Sequence, residues 1–407
     1  MMTSPGTPII QRCLRESSSS VSSGDWPRNH VSRKVMGSTE SVKVALLFVS
    51  MPVGGAEDFL LSASKYMPEE IKARFVCLRS LGVLGEEALA AGLKIDLVPV
   101  FPTKRVNPLG MIRLARWFRQ NGIQVVHAQS YHDQLFGVIA AKLAGIKSIV
   151  HQQKTFLEMK GRKGFFMRHI YRWADHVIAL SEETRHDLIE AFQLDPKEVS
   201  VIPNAIDPDL FQPAKDRKEV RARLGLSPEG ILIGSVASLH PTKNHQATIG
   251  AMALLAKKGL PLPTFMLFGE GADRVSLERG IRENNLEGHL VLAGRKRPVA
   301  PWIQTLDFFV LASHWEGQPL ALLQALECRV PIMASRIEGN TILLGEDHPG
   351  LFAPGDHAGY AHLLERAMTE ARFRDDILNF QEKLPRPSLP ILSQQLGNLY
   401  IRLAGRS

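Results

Sequence analysis

Phe308-Phe-Val-Leu-Ala-Ser-His-Trp-Glu316-Gly-Gln-Pro-Leu-Ala-Leu-Leu-Gln324-Ala-Leu326 reads as a strand, a loop and a helix in direct succession. Phe308 to Leu311 form a short unbroken apolar run, as expected of a parallel strand covered on both faces. A helix is expected over 318–326, with Glu316 in the loop before it and Gln324 about two turns along. Pro319 falls in the first turn, where its missing N–H costs nothing. The backbone N–H groups of Gly317, Gln318 and Leu320 then suit a sugar hydroxyl or a phosphate oxygen.

The same strand-then-helix unit recurs in both directions along the 407 residues, a length that favours two domains. Upstream, strands are expected at 42–49, 74–78, 94–98, 125–127, 148–151, 176–179 and 199–202. Helices are expected at 56–66, 85–91, 108–121, 133–144 and 181–192. A second series has strands at 231–237, 264–268, 290–293, 308–311 and 332–334, with helices near 244–258, 273–285 and 318–326. The proline-rich segment 203–213 interrupts the pattern and is the expected hinge. An apolar helix with Ile391, Leu392, Leu396, Leu399, Ile401 and Leu403 follows Pro390. Alternation of this kind predicts an α/β protein of two doubly wound parallel sheets, which favour ligands at the carboxyl ends of their strands. The expected division is 41–203 plus about 390–405 for the first domain and 204–389 for the second.

Residues 1–40 carry the run Ser17 to Ser20 and no apolar periodicity, and read as a disordered tail. Met36 leads directly into the first strand and is an alternative start. The apolar stretch 44–53 has the look of a signal-peptide core, but it completes a strand-loop-helix unit and is read as the first strand. No apolar run reaches the roughly 18–20 residues of a membrane span. Three separated cysteines argue against a disulfide framework or a zinc site and favour a reducing compartment. A formal charge of +8 points to an anionic partner.

Gly54-Gly55-Ala56-Glu57 follows the first strand and lets backbone approach an anion closely. Lys243, just past the first strand of the second series, places a fixed positive charge at a helix start. Such a charge can neutralise a departing diphosphate without a metal. Asp207-Pro-Asp209 has the form of a metal-binding pair, yet lies in the hinge, where Asp serves turns. Gly269-Glu-Gly271 lacks the third glycine of a dinucleotide fingerprint, Arg274 standing there instead. His127 and His132 flank the end of a strand.

Together these segments resemble the retaining GT-B glycosyltransferases of family 4, which include many bacterial capsule, exopolysaccharide and lipopolysaccharide enzymes. The resemblance runs from Val42 to the C-terminus. It is carried by Gly54-Gly55-Ala56-Glu57, Val201-Ile-Pro-Asn-Ala-Ile-Asp207, Lys243, Phe268-Gly-Glu-Gly271 and the Glu316 loop, in the family's order. It implies two Rossmann-like domains facing across a cleft, with the C-terminal helix packing back toward the N-terminal domain. The donor nucleotide would lie on the second domain and the acceptor on the first. By resemblance Lys243 meets the diphosphate, Glu316 the donor-sugar hydroxyls, and Gly55 the diphosphate from the opposite side. The Leu292-to-Arg297 turn, with Arg295 and Arg297, edges the base pocket. Gly54, Ser238, Gly269, Gly317, Gln318, Leu320 and Gln324 complete the donor set, and His127, His151 and Gln153 line the acceptor side.

Four positions depart from the family pattern. Its arginine falls at Ser238, its second signature glutamate at Gln324, its N-domain histidine at Gln153, and its glycine before Val330-Pro331 at Arg329. Gln324 keeps a donor and an acceptor for a ribose. The resemblance therefore implies transfer of a sugar, from a UDP-linked donor in the family's commonest case, to a glycan or lipid-linked acceptor with retention and no metal or other cofactor. The place of action would be the cytoplasm, at the inner face of the membrane. A non-catalytic, nucleotide-sugar-binding subunit of a glycan-assembly complex is the alternative, and a nucleotide-sugar epimerase ranks below both. Between 154 and 172, Lys154, Lys160, Arg162, Lys163, Arg168 and Arg172 alternate with Phe156, Phe165, Phe166, Met167, Ile170 and Tyr171. That mixture suits an anionic membrane surface. Basic residues are not organised around any nucleic-acid module, so nucleic acid is not expected as a partner.

Overall fold

The computed structural model describes residues 41–51, 55–100, 108–151 and 161–405. Gly54, Gln153, Lys154, Phe156 and Lys160 lie outside them, as does the serine-rich stretch 1–40. The described residues divide into two compact units, one of residues 207–386 and one of residues 41–206 together with 387–405.

The N-terminal unit holds seven strands: β1 (Val42–Phe48), β2 (Ile71–Cys77), β3 (Ile95–Leu97), β4 (Val125–Ala128), β5 (Lys147–His151), β6 (His176–Ala179) and β7 (Val199–Val201). Their order is β3-β2-β1-β4-β5-β6-β7, with every pairing parallel. In β1 only Lys43 is exposed; the other six residues are buried, as a strand covered on both faces requires. Helices α1 (Gly55–Ala63), α2 (Gly82–Ala90), α3 (Pro108–Asn121), α4 (Tyr131–Ala144), α5 (Gly161–Trp173) and α6 (Glu182–Phe192) supply the crossovers.

The second unit has β8 (Leu232–Val236), β9 (Thr264–Phe268), β10 (Leu290–Leu292), β11 (Phe308–Leu311), β12 (Ile332–Ser335) and β13 (Leu351–Phe352), in the order β10-β9-β8-β11-β12-β13, again all parallel. Its helices are α7 (Arg217–Arg223), α8 (His245–Lys257), α9 (Arg274–Glu283), α10 (Ala300–Gln304), α11 (Leu320–Glu327), α12 (Glu338–Leu344), α13 (His357–Thr369) and α14 (Ala371–Gln381). The last helix, α15 (Leu389–Leu403), returns to the N-terminal unit, where Gln394 Nε2 donates to the Tyr66 carbonyl at 2.7 Å and Gly397 fits against Pro68.

Both units are doubly wound. The expected helices shift at their ends for identifiable reasons. Gly82 opens α2 three residues early because its left-handed φ of 74° and missing Cβ fit it against the Met51 backbone. α8 begins at His245 rather than Asn244, which takes a left-handed φ of 51° after a 3₁₀ turn, Pro241–Lys243. Lys243 thus sits in that turn and not in the first turn of the helix. α11 begins at Leu320, so Pro319 is its N-cap rather than a first-turn residue. No element was expected between β12 and residue 390, yet α12, β13, α13 and α14 fill that stretch. Tyr360, Leu363, Leu364 and Ala367 give α13 a legible buried stripe.

Candidate active site

Strand order reverses direction between β8 and β11 in the second sheet, because chain progression runs outward from that pair on both sides. Loops leaving the carboxyl ends of such a pair separate and leave a crevice. The loop after β8 carries Lys243, and the loop after β11 carries Glu316. The two loops are joined by a backbone bond from His314 N–H to the Thr242 carbonyl at 2.8 Å.

Lys243 Nζ donates to Glu316 Oε1 at 2.6 Å. The lysine side chain is 25% exposed and the carboxylate 8%. The ammonium can therefore meet a ligand while the carboxylate is nearly enclosed. Glu316 Oε1 also accepts the Ser313 hydroxyl at 2.7 Å. Two donors on one oxygen fix the carboxylate plane and leave Oε2 for another donor. The loop that bears Lys243 is held by His245, whose Nε2 lies 3.0 Å from the Ser238 carbonyl. Burial holds the His245 imidazole below the usual histidine range.

Close backbone approaches shape the same loops. A Cβ on Gly269 would lie 1.8 Å from the Ala237 carbonyl oxygen, and one on Gly271 2.2 Å from that of Leu239. These glycines have a packing reason of their own, independent of any ligand. Behind Glu316, a Cβ on Gly339 would fall 2.4 Å from the Glu316 carbonyl oxygen.

Among the other residues expected on the donor side, Ser238 and Arg295 are exposed, Arg297, Gly317 and Gln324 half-buried, and Gln318 and Leu320 buried. Arg329, standing where the family has glycine, adopts a φ of 52°, so the backbone there still asks for a left-handed residue. Asp207 Oδ1 accepts the Asp209 N–H at 3.1 Å, which gives that pair the turn role expected of it.

The first sheet reverses direction in the same way, between β1 and β4. Gly55, expected in a loop, is the first residue of α1 and is exposed. His127 and His151 end up beside each other, ring centroids 5.5 Å apart, both buried. His127 Nδ1 lies 2.6 Å from the Tyr400 hydroxyl of α15. Gln134 Nε2 bridges the carbonyls of Gln129 and His151, and Asp133 Oδ2 accepts the Ser130 N–H. Five further polar groups find no hydrogen-bond partner among the described residues: His127 Nε2, His151 Nδ1, Asp133 Oδ1, Gln134 Oε1 and the Gln129 amide. Buried polar atoms rarely stay unpaired, so these groups at the sheet's carboxyl edge suit water or ligand hydroxyls as partners.

Burial sets the charge of that cluster. It drives His127 well below the usual imidazole range, aided by His151, and His151 itself down to about 4. It raises Asp133 to about 6 and Glu57, with help from Asp133 and Asp58, to about 7. At neutral pH both histidines are uncharged. Sequence reasoning named both histidines and missed Tyr400, which lies 273 residues away from His127.

Two doubly wound parallel sheets, each with a reversal point, fix the architecture but not the reaction, and the comparisons with known proteins narrow it. Residues 53–210 match the family model for Glycosyltransferase Family 4, and residues 216–383 that for Glycosyl transferases group 1. Both halves of the chain thus match glycosyltransferase family models, and its two parallel sheets have the GT-B fold. It is 29% identical over 367 residues to the UDP-Gal:alpha-D-GlcNAc-diphosphoundecaprenol alpha-1,3-galactosyltransferase of Escherichia coli, covering 86% of this chain and 92% of that relative. In fold it is similar to Anabaena Alr3699/HepE in complex with UDP and glucose, at a TM-score of 0.74 and 18% identity, over 88% of this chain and 99% of that one. Sucrose-phosphate synthase from Thermosynechococcus elongatus gives 0.71 at 16% identity, over 90% and 100%.

Proposed function

We propose that the protein transfers a sugar from a nucleoside diphosphate donor, UDP-linked, to a lipid-linked or glycan acceptor, with retention of anomeric configuration, in building a cell-surface polysaccharide. The observation that carries this reading is the Lys243–Glu316 pair at the β8/β11 reversal point. The ammonium suits the diphosphate and the carboxylate suits sugar hydroxyls. The similarity to the Escherichia coli galactosyltransferase supports a UDP-sugar donor and a diphosphate-lipid acceptor.

In the proposed reaction the acceptor hydroxyl oxygen bonds to the anomeric carbon as the bond from that carbon to the phosphate oxygen breaks. The hydroxyl proton passes to the departing phosphate oxygen on the same face. Lys243 neutralises the charge that grows on the diphosphate, so neither a carboxylate nucleophile nor a metal is required. Gln324 on α11 is proposed for the ribose, Gly317, Gln318 and Leu320 for the donor through their backbone, and His127 and His151 for the acceptor side. Thermal-shift screening with UDP-, GDP- and ADP-sugars tests the donor: one uridine sugar at a hundredfold excess over its Kd should stabilise by about 2.7 kcal/mol. Indifference to all three classes would remove the proposal.

A lipid-linked acceptor calls for a membrane-facing surface, and α5 is proposed for it. Met167, Ile170 and Tyr171 are buried in the N-terminal unit, whereas Phe165, Phe166 and Trp173 are 62%, 52% and 50% exposed. Lys163, Arg168 and Arg172 are exposed on the same helix. No helix among the described residues is long and apolar enough to cross a membrane. Three aromatic rings flanked by cations suit the headgroup region of anionic lipid. Co-sedimentation should show binding to vesicles rich in phosphatidylglycerol and none to pure phosphatidylcholine, with Phe165→Ala and Phe166→Ala together weakening it at least tenfold. Equal binding to both vesicle types would eliminate this surface.

A further inference from the structure

Glu316 Oε1 is held by two donors of very different freedom. Lys243 reaches it through a four-carbon stem that is partly in solvent, and an ammonium is a mobile point charge. Ser313 reaches it from the end of β11, is fully buried, and has a single rotatable bond to its hydroxyl carbon. Its support continues inward. The Ser335 hydroxyl donates to the Ser313 carbonyl at 2.6 Å, and Asn340 Nδ2 donates to the Ser335 carbonyl at 2.8 Å, with all three side chains at 0% exposure.

A diphosphate brings more negative charge to Lys243 than one carboxylate does, so a bound donor competes directly with Glu316 for the ammonium. If the lysine were the carboxylate's only anchor, donor binding would release Glu316 just when the sugar arrives. From the geometry we infer that Ser313 is a positioning residue, keeping the Glu316 carboxylate aimed at the donor sugar after the diphosphate has drawn Lys243 away. The Lys243–Glu316 bridge is then a ligand-free pairing, exchanged on binding, while the Ser313 bond persists through the exchange. This rests on the donor reading proposed above.

Ser313→Ala separates the two roles, because UDP needs only the ammonium whereas UDP-galactose needs the aimed carboxylate as well. Calorimetric titration should show UDP affinity within twofold of wild type and UDP-galactose affinity lowered about tenfold, with KM for the sugar donor rising more than kcat falls. Retained UDP binding also reports that the variant is folded. Equal losses for the two ligands, or no loss for either, would overturn the assignment. Wild-type protein that bound neither UDP nor UDP-galactose would instead strike the donor reading itself, a distinct result.

Discussion

Lys243→Ala is expected to lower the rate of sugar transfer by about a thousandfold, the effect of withdrawing one preorganised charge from a leaving group. The charge that develops on the diphosphate appears late, as the glycosidic bond to phosphate breaks. A cation that interacts more strongly with that state than with the ground state acts mainly on kcat. Arg295 and Arg297 follow β10, which is two strands from β8 in the same sheet, whereas Lys243 sits in the loops at the β8/β11 reversal. The substitution leaves Glu316 with the Ser313 hydroxyl as its anchor at 8% exposure. A carboxylate that loses a charged partner while nearly buried costs about 1–3 kcal/mol, so the melting temperature should drop by a few degrees without loss of fold. Transfer of radiolabelled sugar, measured beside circular dichroism, separates the two effects. A variant that turns over at the wild-type rate would leave Lys243 no role in the reaction.

The sheets were legible because parallel strands buried on both faces write themselves as short apolar runs, as in Phe308 to Leu311. The convergence of the Lys243 and Glu316 loops was legible for a related reason. Lys243 and Glu316, 73 residues apart, each follow a strand by a few residues, and the strands turn out to be neighbours at the reversal point. What could not be read was the direct contact between them, since spacing says which loops meet and not which side chains pair. Ser313 was readable in principle, being three residues before Glu316 at the strand's end, but its 0% exposure was not. Gly269 shows the converse difficulty. A glycine after a strand suggests an anion loop, and this one also makes room for the Ala237 carbonyl, a reason that spacing does not announce. Tyr400 on His127 depends on α15 returning to the first unit, and no local pattern announces which of its residues faces inward.

Gly339→Ala should injure the protein although it lies outside every motif and introduces only a methyl group. Gly339 is the second residue of α12, where alanine is the better helix former by about 1 kcal/mol. Its Cβ, however, would stand 2.4 Å from the Glu316 carbonyl oxygen and 2.7 Å from that of Gly317. Both are backbone atoms, so no rotamer change relieves the contact, and the Glu316 loop or the start of α12 must move. Overpacking of this kind costs about 1–3 kcal/mol, which exceeds the helix-propensity gain and settles the sign. Moving the loop by about 1 Å misplaces Glu316 relative to Lys243, and a misplacement of that size can lower a rate about a hundredfold. The two consequences are tied to one displacement, so they should appear together: a lower melting temperature and a lower kcat, with UDP binding less affected than turnover. Full activity at wild-type stability would mean that the loop yields without cost, and that the close approach of α12 does not hold Glu316 in place.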